Sequence, residues 1–239
     1  MKLAMYRIHK ICIMVIFIAL FSMCTMHHED NRSGGIVLSF DDYFPNEWKG
    51  VFDLFDRYNA RVTFFINGSA PSSFMFYAEE RGHEIGFHTI THARLPALTR
   101  EAFFEETVAP INAFRSQGIE LTSFAYPWGD YERWMHNELL KYYRVLRGAG
   151  GNFIHERANK RFGFVGSKSI DNFFYDCDII FQQEIGRILR EVKVSGKIVS
   201  LFSHNIGTMN WGITQERLEF VLRKGNEYGL TFYRFNDLQ

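Results

Sequence analysis

The chain of 239 residues has three cysteines and five prolines, and no excess of charge, since 27 Lys and Arg balance 27 Asp and Glu. So few cysteines over this length exclude a disulfide miniprotein, and five prolines with 19 glycines exclude a collagen-like or low-complexity chain. A neutral balance without a basic stripe argues against a protein held by nucleic-acid phosphates. No repeat of fixed period is visible. What the chain does have is apolar material: 46% hydrophobic and 17% aromatic residues, with 25 Phe. That is too much for a disordered chain, and the length suits one large domain in the range of single α/β barrels.

The charge balance hides an asymmetry. Lys2, Arg7 and Lys10 precede an apolar run from Ile11 to Met23, and the first acid is Glu29. A basic segment followed by a short apolar one is the pattern of a secretory signal, and the run falls short of the roughly 20 residues a spanning helix needs. Residues 1–23 are therefore expected to be a signal peptide. Without them 24 cations face 27 acids, a net charge of −3. Cys24 follows Leu20-Phe21-Ser22-Met23, which resembles a lipoprotein cleavage site with Met23 in place of the usual small residue. The expected product is exported, periplasmic or cell-envelope, with a lipid on Cys24 as its membrane contact; the alternatives are a plain signal peptide cut a few residues later or an uncleaved anchor. With Cys12 removed and Cys24 acylated, Cys177 is alone and no intramolecular disulfide forms. Residues 24–34 read as a polar tether.

Beyond the tether, strand and helix patterns alternate. Ile36–Phe40, 61–66, Glu84–Phe87, 121–125, 144–146, Ile198–Phe202 and 230–234 read as strands. Residues 47–58, 72–81, 100–117 (with a kink at Pro110), 178–194 and 214–228 read as helices, and Asp130 is expected to cap another running to Tyr143. Residues 147–177 read as loop, with Gly148, Gly150 and Gly151 at its start. The alternation predicts parallel strands with helical crossovers. Asp41/Asp42, His88/His92, Pro127/Gly129 and His204 all fall at or just past C-terminal strand ends, which in a barrel converge on one face.

Each of these groups is ambiguous alone. Asp41-Asp42 can hold a metal and face a substrate, or simply open a loop. His88 and His92, four residues apart, can bring two imidazoles to one point, which with a carboxylate makes a three-ligand site open to water; a chance HxxxH among nine histidines is the alternative. The turn Tyr126-Pro127-Trp128-Gly129 can aim backbone N–H groups at an oxygen. His204 ends an apolar strand, and a histidine so placed is more often structural than catalytic.

Taken in order, the motifs resemble the polysaccharide deacetylases with the nodulation-deacetylase homology domain, carbohydrate esterase family four. Leu38-Ser39-Phe40-Asp41-Asp42 is similar to the family's first motif, His88-Thr89-Ile90-Thr91-His92 to its second, Tyr126–Gly129 to its third, and Leu201 to His204 to its last. The resemblance implies a distorted (β/α) barrel of about seven parallel strands over residues 35–239. It also implies hydrolysis of N- or O-linked acetyl groups on a carbohydrate, with one divalent metal ion: zinc, or else cobalt or nickel. By position, Asp41 is implied as general base and His204 as general acid, with Asp42, His88 and His92 as metal ligands. The Trp128 N–H, within the turn that Pro127 and Gly129 shape, is implied as oxyanion donor, and Leu201 as lining of the acetyl pocket.

Two departures stand out. Many members carry an Arg in the third motif that pairs with the base, and here that position is Ala125. Because Tyr143–Gly148 reads as the strand after the one ending at Ala125, its end brings Arg147 to the same mouth, either as a replacement cation for the base or as an ordinary solvated arginine at a strand end. The acid-and-Trp motif that orients the catalytic His has no clear match; Asp171, Asp176 and Asp178 are candidates, without an adjacent Trp. Alternatives of a different class are a non-sugar amide hydrolase on the same site and a decayed carbohydrate-binding envelope protein.

Overall fold

The run Gly35-Ile36-Val37-Leu38-Ser39-Phe40 forms the strand about which the molecule closes. The computed structural model describes residues 34–156 and 163–238. The expected signal segment, Cys24 and the tether up to residue 33 lie outside the described residues. The strands are β1 (Gly35–Asp42), β2 (Thr63–Ile66), β3 (Glu84–Phe87), β4 (Ser123–Ala125), β5 (Val145–Ala149), β6 (Ile154–His155), β7 (Phe164–Ser169), β8 (Ile198–Ser203), β9 (Asn205–Ile206), β10 (Gly212–Ile213) and β11 (Thr231–Tyr233). Seven of them, β1 to β5 with β7 and β8, pair in parallel, and β8 pairs back onto β1 to close a barrel.

The barrel is distorted at its N-terminal end. The first residues of β1 pair with β11 and only the later ones with β2, while β6 runs antiparallel along the start of β8 and β7 pairs with its end. Alternation along each strand then separates two cores. Leu38 and Phe40 face the surrounding helices with Trp48, Phe52, Phe55, Phe64 and Phe74, whose rings meet at centroid distances of 4.9–6.5 Å. Each such ring contributes about 1.5–3 kcal/mol on burial. Val37, Phe65, Ala125, Val145, Val165 and Ile198 fill the inside, and Phe235 and Leu238 complete this cluster. Among them sits the buried carboxylate of Glu84, satisfied by Thr63, Ser123, Thr122 and the Asn236 backbone N–H. Burial pushes its pKa up.

Several expectations need correction. Residues 147–177 are not a loop: β5 continues to Ala149, and β7 occupies Phe164–Ser169. The latter is hidden because its inward residues are Val165 and Ser167, the second bonded to Ser200 of β8 at 2.5 Å, so no apolar run announces it. Gly166 is required there, since a Cβ would stand 2.4 Å from the Asn152 carbonyl oxygen. The helix expected over 47–58 breaks at Gly50-Val51 into Pro45–Lys49 and Phe52–Arg57, as a glycine in its middle favours. The 100–117 helix divides at Pro110, which has no N–H for the carbonyl four residues back. Asp130 caps nothing; it pairs with Arg94, and the next helix, Arg133–Leu139, starts after Glu132. Among the described residues no helix is long and apolar enough to cross a membrane.

Candidate active site

At the C-terminal mouth the strand ends deliver their polar residues in a fixed order. Inward parity along β1 runs Val37, Ser39, Asp41, and a left-handed turn at Asp42 (φ 74°) swings the next carboxylate toward the β3 loop. That loop carries His88 at its start and His92 at its end, with Thr89 (φ 70°) and His92 (φ 60°) also left-handed. Trp128 (φ 62°) adds a fourth such residue from the β4 turn. Non-glycine residues in this conformation cost on the order of 1–3 kcal/mol each, and only Asn59 adopts it elsewhere among the described residues.

Asp42, His88 and His92 bring one ligand atom each to within 4.8 Å of one another. His92 Nε2 lies 3.4 Å and His88 Nε2 3.7 Å from Asp42 Oδ1. The chemistry of this donor set fits a cation. His88 Nδ1 sits 2.8 Å from the Ala125 carbonyl and must donate to it, which leaves the Nε2 lone pair facing Asp42. Burial, with the Arg147 and His92 charges, pushes the His88 pKa down to about 3, so the ring is neutral. Among the described residues Asp42 Oδ1 has no hydrogen-bond donor although it is buried. Lone pairs and a carboxylate converging without a donor between them form a cavity for a positive ion.

Asp41 points into the barrel, 2% exposed, and there it meets the Arg147 guanidinium in a direct ion pair. Arg147 is carried inward on β5, 1% exposed, and lies between the rings of Phe65 and Phe202. Burial raises the Asp41 carboxyl, but the Arg147 charge and hydrogen bond, with His204, outweigh it and hold the pKa below the usual carboxylate range. Asp42 behaves oppositely: burial and the neighbouring Asp41 charge push its pKa up.

His204 enters from the end of β8. Its Nδ1 lies 2.9 Å from Oδ2 of Asp171, which also accepts from Ser169, while Oδ1 accepts from Ser203 at 2.6 Å. Asp171 is fully buried just past β7. Of the three sequence candidates it is the one at the site; Asp178 instead pairs with Arg217. The Trp48 indole donates to the His204 carbonyl at 2.8 Å, tying the first helix to the last barrel strand. Burial disfavours a charged His204 ring, but the Asp171 bond and the Asp41, Asp171 and Asp42 charges prevail and raise its pKa.

These groups line one cleft of about 740 Å³, together with Tyr126, Trp128, Gly129, Phe202, Phe174 and Trp211. Trp128 is 68% exposed with its ring 4.9 Å from His92, and Trp211 is 53% exposed and stacked on Phe173. Pro127 is buried beneath the turn, whose Gly129 N–H closes onto the Tyr126 carbonyl. Leu201 does not line the cleft. Opposite in parity to Ser200 and Phe202, it is fully buried in the outer core with Leu38, and Phe202 faces the cleft in its place. Strand alternation back from His204 was the signal for this. Phe202 and the Trp48 bond to His204 escaped the sequence reading, the second because its partners are 156 positions apart.

Comparison with known proteins agrees with this architecture. The polysaccharide deacetylase family model matches residues 28–144, about half of the chain and including Asp41, Asp42, His88, His92 and the Tyr126–Gly129 turn. A chitin deacetylase of Arthroderma benhamiae is 35% identical over 81 residues, 31% of this chain and 22% of that protein. A gellan lyase of a Bacillus species is 31% identical over 127 residues, 51% of this chain and only 5% of that protein. The chain thus matches a minor part of each relative's length. Among solved structures, the chitin deacetylase of Colletotrichum lindemuthianum superposes with a TM-score of 0.63 at 14% identity, over 87% of this chain and 88% of that one. The catalytic domain of the Eubacterium rectale peptidoglycan N-acetylglucosamine deacetylase gives 0.60 at 17% identity, over 87% and 90%. With the motifs in order, the strand ends converging and the barrel shared, the chain belongs to the polysaccharide deacetylase family.

Proposed function

We propose that the protein is a metal-dependent hydrolase that removes N- or O-linked acetyl groups from a glycan. The observation that carries this reading is the convergence in one cleft of a three-ligand set, a carboxylate kept ionised by Arg147, and a histidine whose pKa is raised by Asp171. Asp42, His88 and His92 would hold a divalent ion, zinc by ligand type with cobalt or nickel as substitutes, which when bound would supply Lewis-acid polarisation and lower the pKa of water. Asp41, fixed by Arg147, takes the proton of the attacking water. His204, anchored through Nδ1 by Asp171, presents Nε2 to the leaving amine or alcohol and gives it a proton. The Trp128 backbone N–H, in the turn shaped by Pro127 and Gly129, serves the developing oxyanion.

A glycan substrate is supported by the exposed Trp128 and Trp211 rings at the cleft, where aromatic faces stack on sugar rings. Trp48 is buried and Trp134 packs on Phe103, so neither competes for that role. The basic and apolar start of the sequence supports an exported, cell-envelope enzyme, lipid-anchored if Cys24 is acylated. Fatty-acid labelling of the wild type but not of Cys24→Ala tests the anchor.

The test of function is acetate release from chitooligosaccharides, peptidoglycan, poly-N-acetylglucosamine and acetylxylan, with metal removed and restored. Metal-dependent release from at least one is expected. No release from any of them by metal-loaded protein overturns the reading.

A further inference from the structure

The loop His88-Thr89-Ile90-Thr91-His92 holds itself poorly, because two of its five residues are left-handed. Its first part is secured from β2. The His88 N–H donates to the Ile66 carbonyl at 2.9 Å, and the Asn67 side-chain amide donates to the His88 and Thr89 carbonyls. His92, past the second bend, has no such strand beneath it. What grips the loop between the two histidines is the carboxylate of Glu106, on the helix Arg100–Thr107. Its Oε2 accepts from the backbone N–H groups of Ile90 (3.0 Å) and Thr91 (2.9 Å), and its Oε1 accepts from the Thr91 hydroxyl (2.8 Å). Among the described residues Glu106 pairs with no cation, so its acceptor capacity is turned on this loop. The platform is firm: Phe103 and Thr107 of the same helix are buried, and the Tyr143 hydroxyl donates to the Thr107 carbonyl at 2.5 Å.

We propose that Glu106 is a positioning residue for the metal centre, fixing the bend that carries His92 so that its imidazole meets Asp42 and His88. The proposal rests on the reading of Asp42, His88 and His92 as metal ligands. Groups behind first-sphere ligands typically govern metal affinity by about 10- to 100-fold. Glu106→Gln is the sharpest variant. It keeps the shape but replaces one acceptor oxygen with an NH₂ that cannot accept from the loop. Thr91→Val removes only the hydroxyl contact and leaves the helix untouched.

The experiment measures the zinc dissociation constant of the full chain by chelator competition, beside the melting temperature of the metal-free protein by circular dichroism. The expected result is one zinc in the wild type, affinity weakened about 10- to 100-fold in Glu106→Gln and about two- to fivefold in Thr91→Val. The gain in melting temperature on adding zinc should shrink in the same order. Zinc constants within twofold of wild type in both variants overturn the proposal. So does a lower metal-free melting temperature with zinc affinity intact, which marks Glu106 as merely structural. A wild type that binds no zinc overturns the metal-site reading and this proposal with it, an outcome distinct from both.

Discussion

Strands β1 and β3 deliver Asp42, His88 and His92 on tight, left-handed turns, whereas β5, β7 and β8 deliver Arg147, Asp171 and His204 as partners of other charged groups. The first set rides on left-handed backbone turns gripped by the Asn67 and Glu106 side chains, and its ligand atoms converge on one point. The second is held by ion pairs and hydrogen bonds inside the barrel, and it sets protonation states. On the proposed function the difference is a division of labour: one side of the mouth would build the ligand cage, and the other would tune the base and acid.

If that division is right, substitutions on the two sides fail differently. The largest loss is expected at Asp41, which stands on the cage strand but belongs to the tuned set. Asp41→Asn should keep its metal and lose about 10²–10⁴-fold in turnover. Near-normal turnover at intact metal content moves the base elsewhere.

Arg147→Ala should cost mainly stability, about 3–5 kcal/mol, because it leaves a buried carboxylate unpaired. The Asp41 pKa is depressed in the folded state, so the pair's contribution is present above the ordinary carboxylate pKa and lost as pH falls through the lower, folded value. Urea unfolding across acidic pH should show wild-type stability falling there and a flatter profile in the variant. Parallel profiles break the comparison.

Asp171→Asn should be milder in turnover, losing part of the roughly 10²–10⁴-fold that a general acid contributes. The His204 pKa is raised in the folded protein, so the stabilising protonated form is fully present below the ordinary histidine pKa and is lost as pH rises through the folded value. Without Asp171 that value falls, and the alkaline limb of the pH–rate profile should move to lower pH. A limb that stays in place removes Asp171 from the acid's control. Smallest is Trp211→Ala, expected to raise KM two- to tenfold, about 0.5–1.5 kcal/mol of stacking, with kcat little changed.

Legibility in the sequence follows the same line. The cage side was readable because Asp41-Asp42, HxxxH and the Tyr126–Gly129 turn are local patterns whose spacing carries their geometry. Arg147 could be anticipated because its strand follows the Ala125 strand directly. Asp171 could only be placed among three acids, since the strand that presents it, Phe164–Ser169, hides behind Gly166, Ser167 and Lys168. Leu201 was misassigned by motif position, where counting strand parity back from His204 gives Phe202. Glu106 left no signal, because its bonds depend on how a helix after the loop folds back over it.

The measurement closest to the central claim is metal stoichiometry, by elemental analysis, of the wild type, His88→Ala, His92→Ala and Asp171→Asn purified alike. The account predicts one divalent ion per chain in the wild type and in Asp171→Asn, and its loss in both histidine variants. Unchanged stoichiometry in His88→Ala and His92→Ala, or loss of the ion in Asp171→Asn, contradicts a cage built on one side of the mouth and a proton-handling pair on the other.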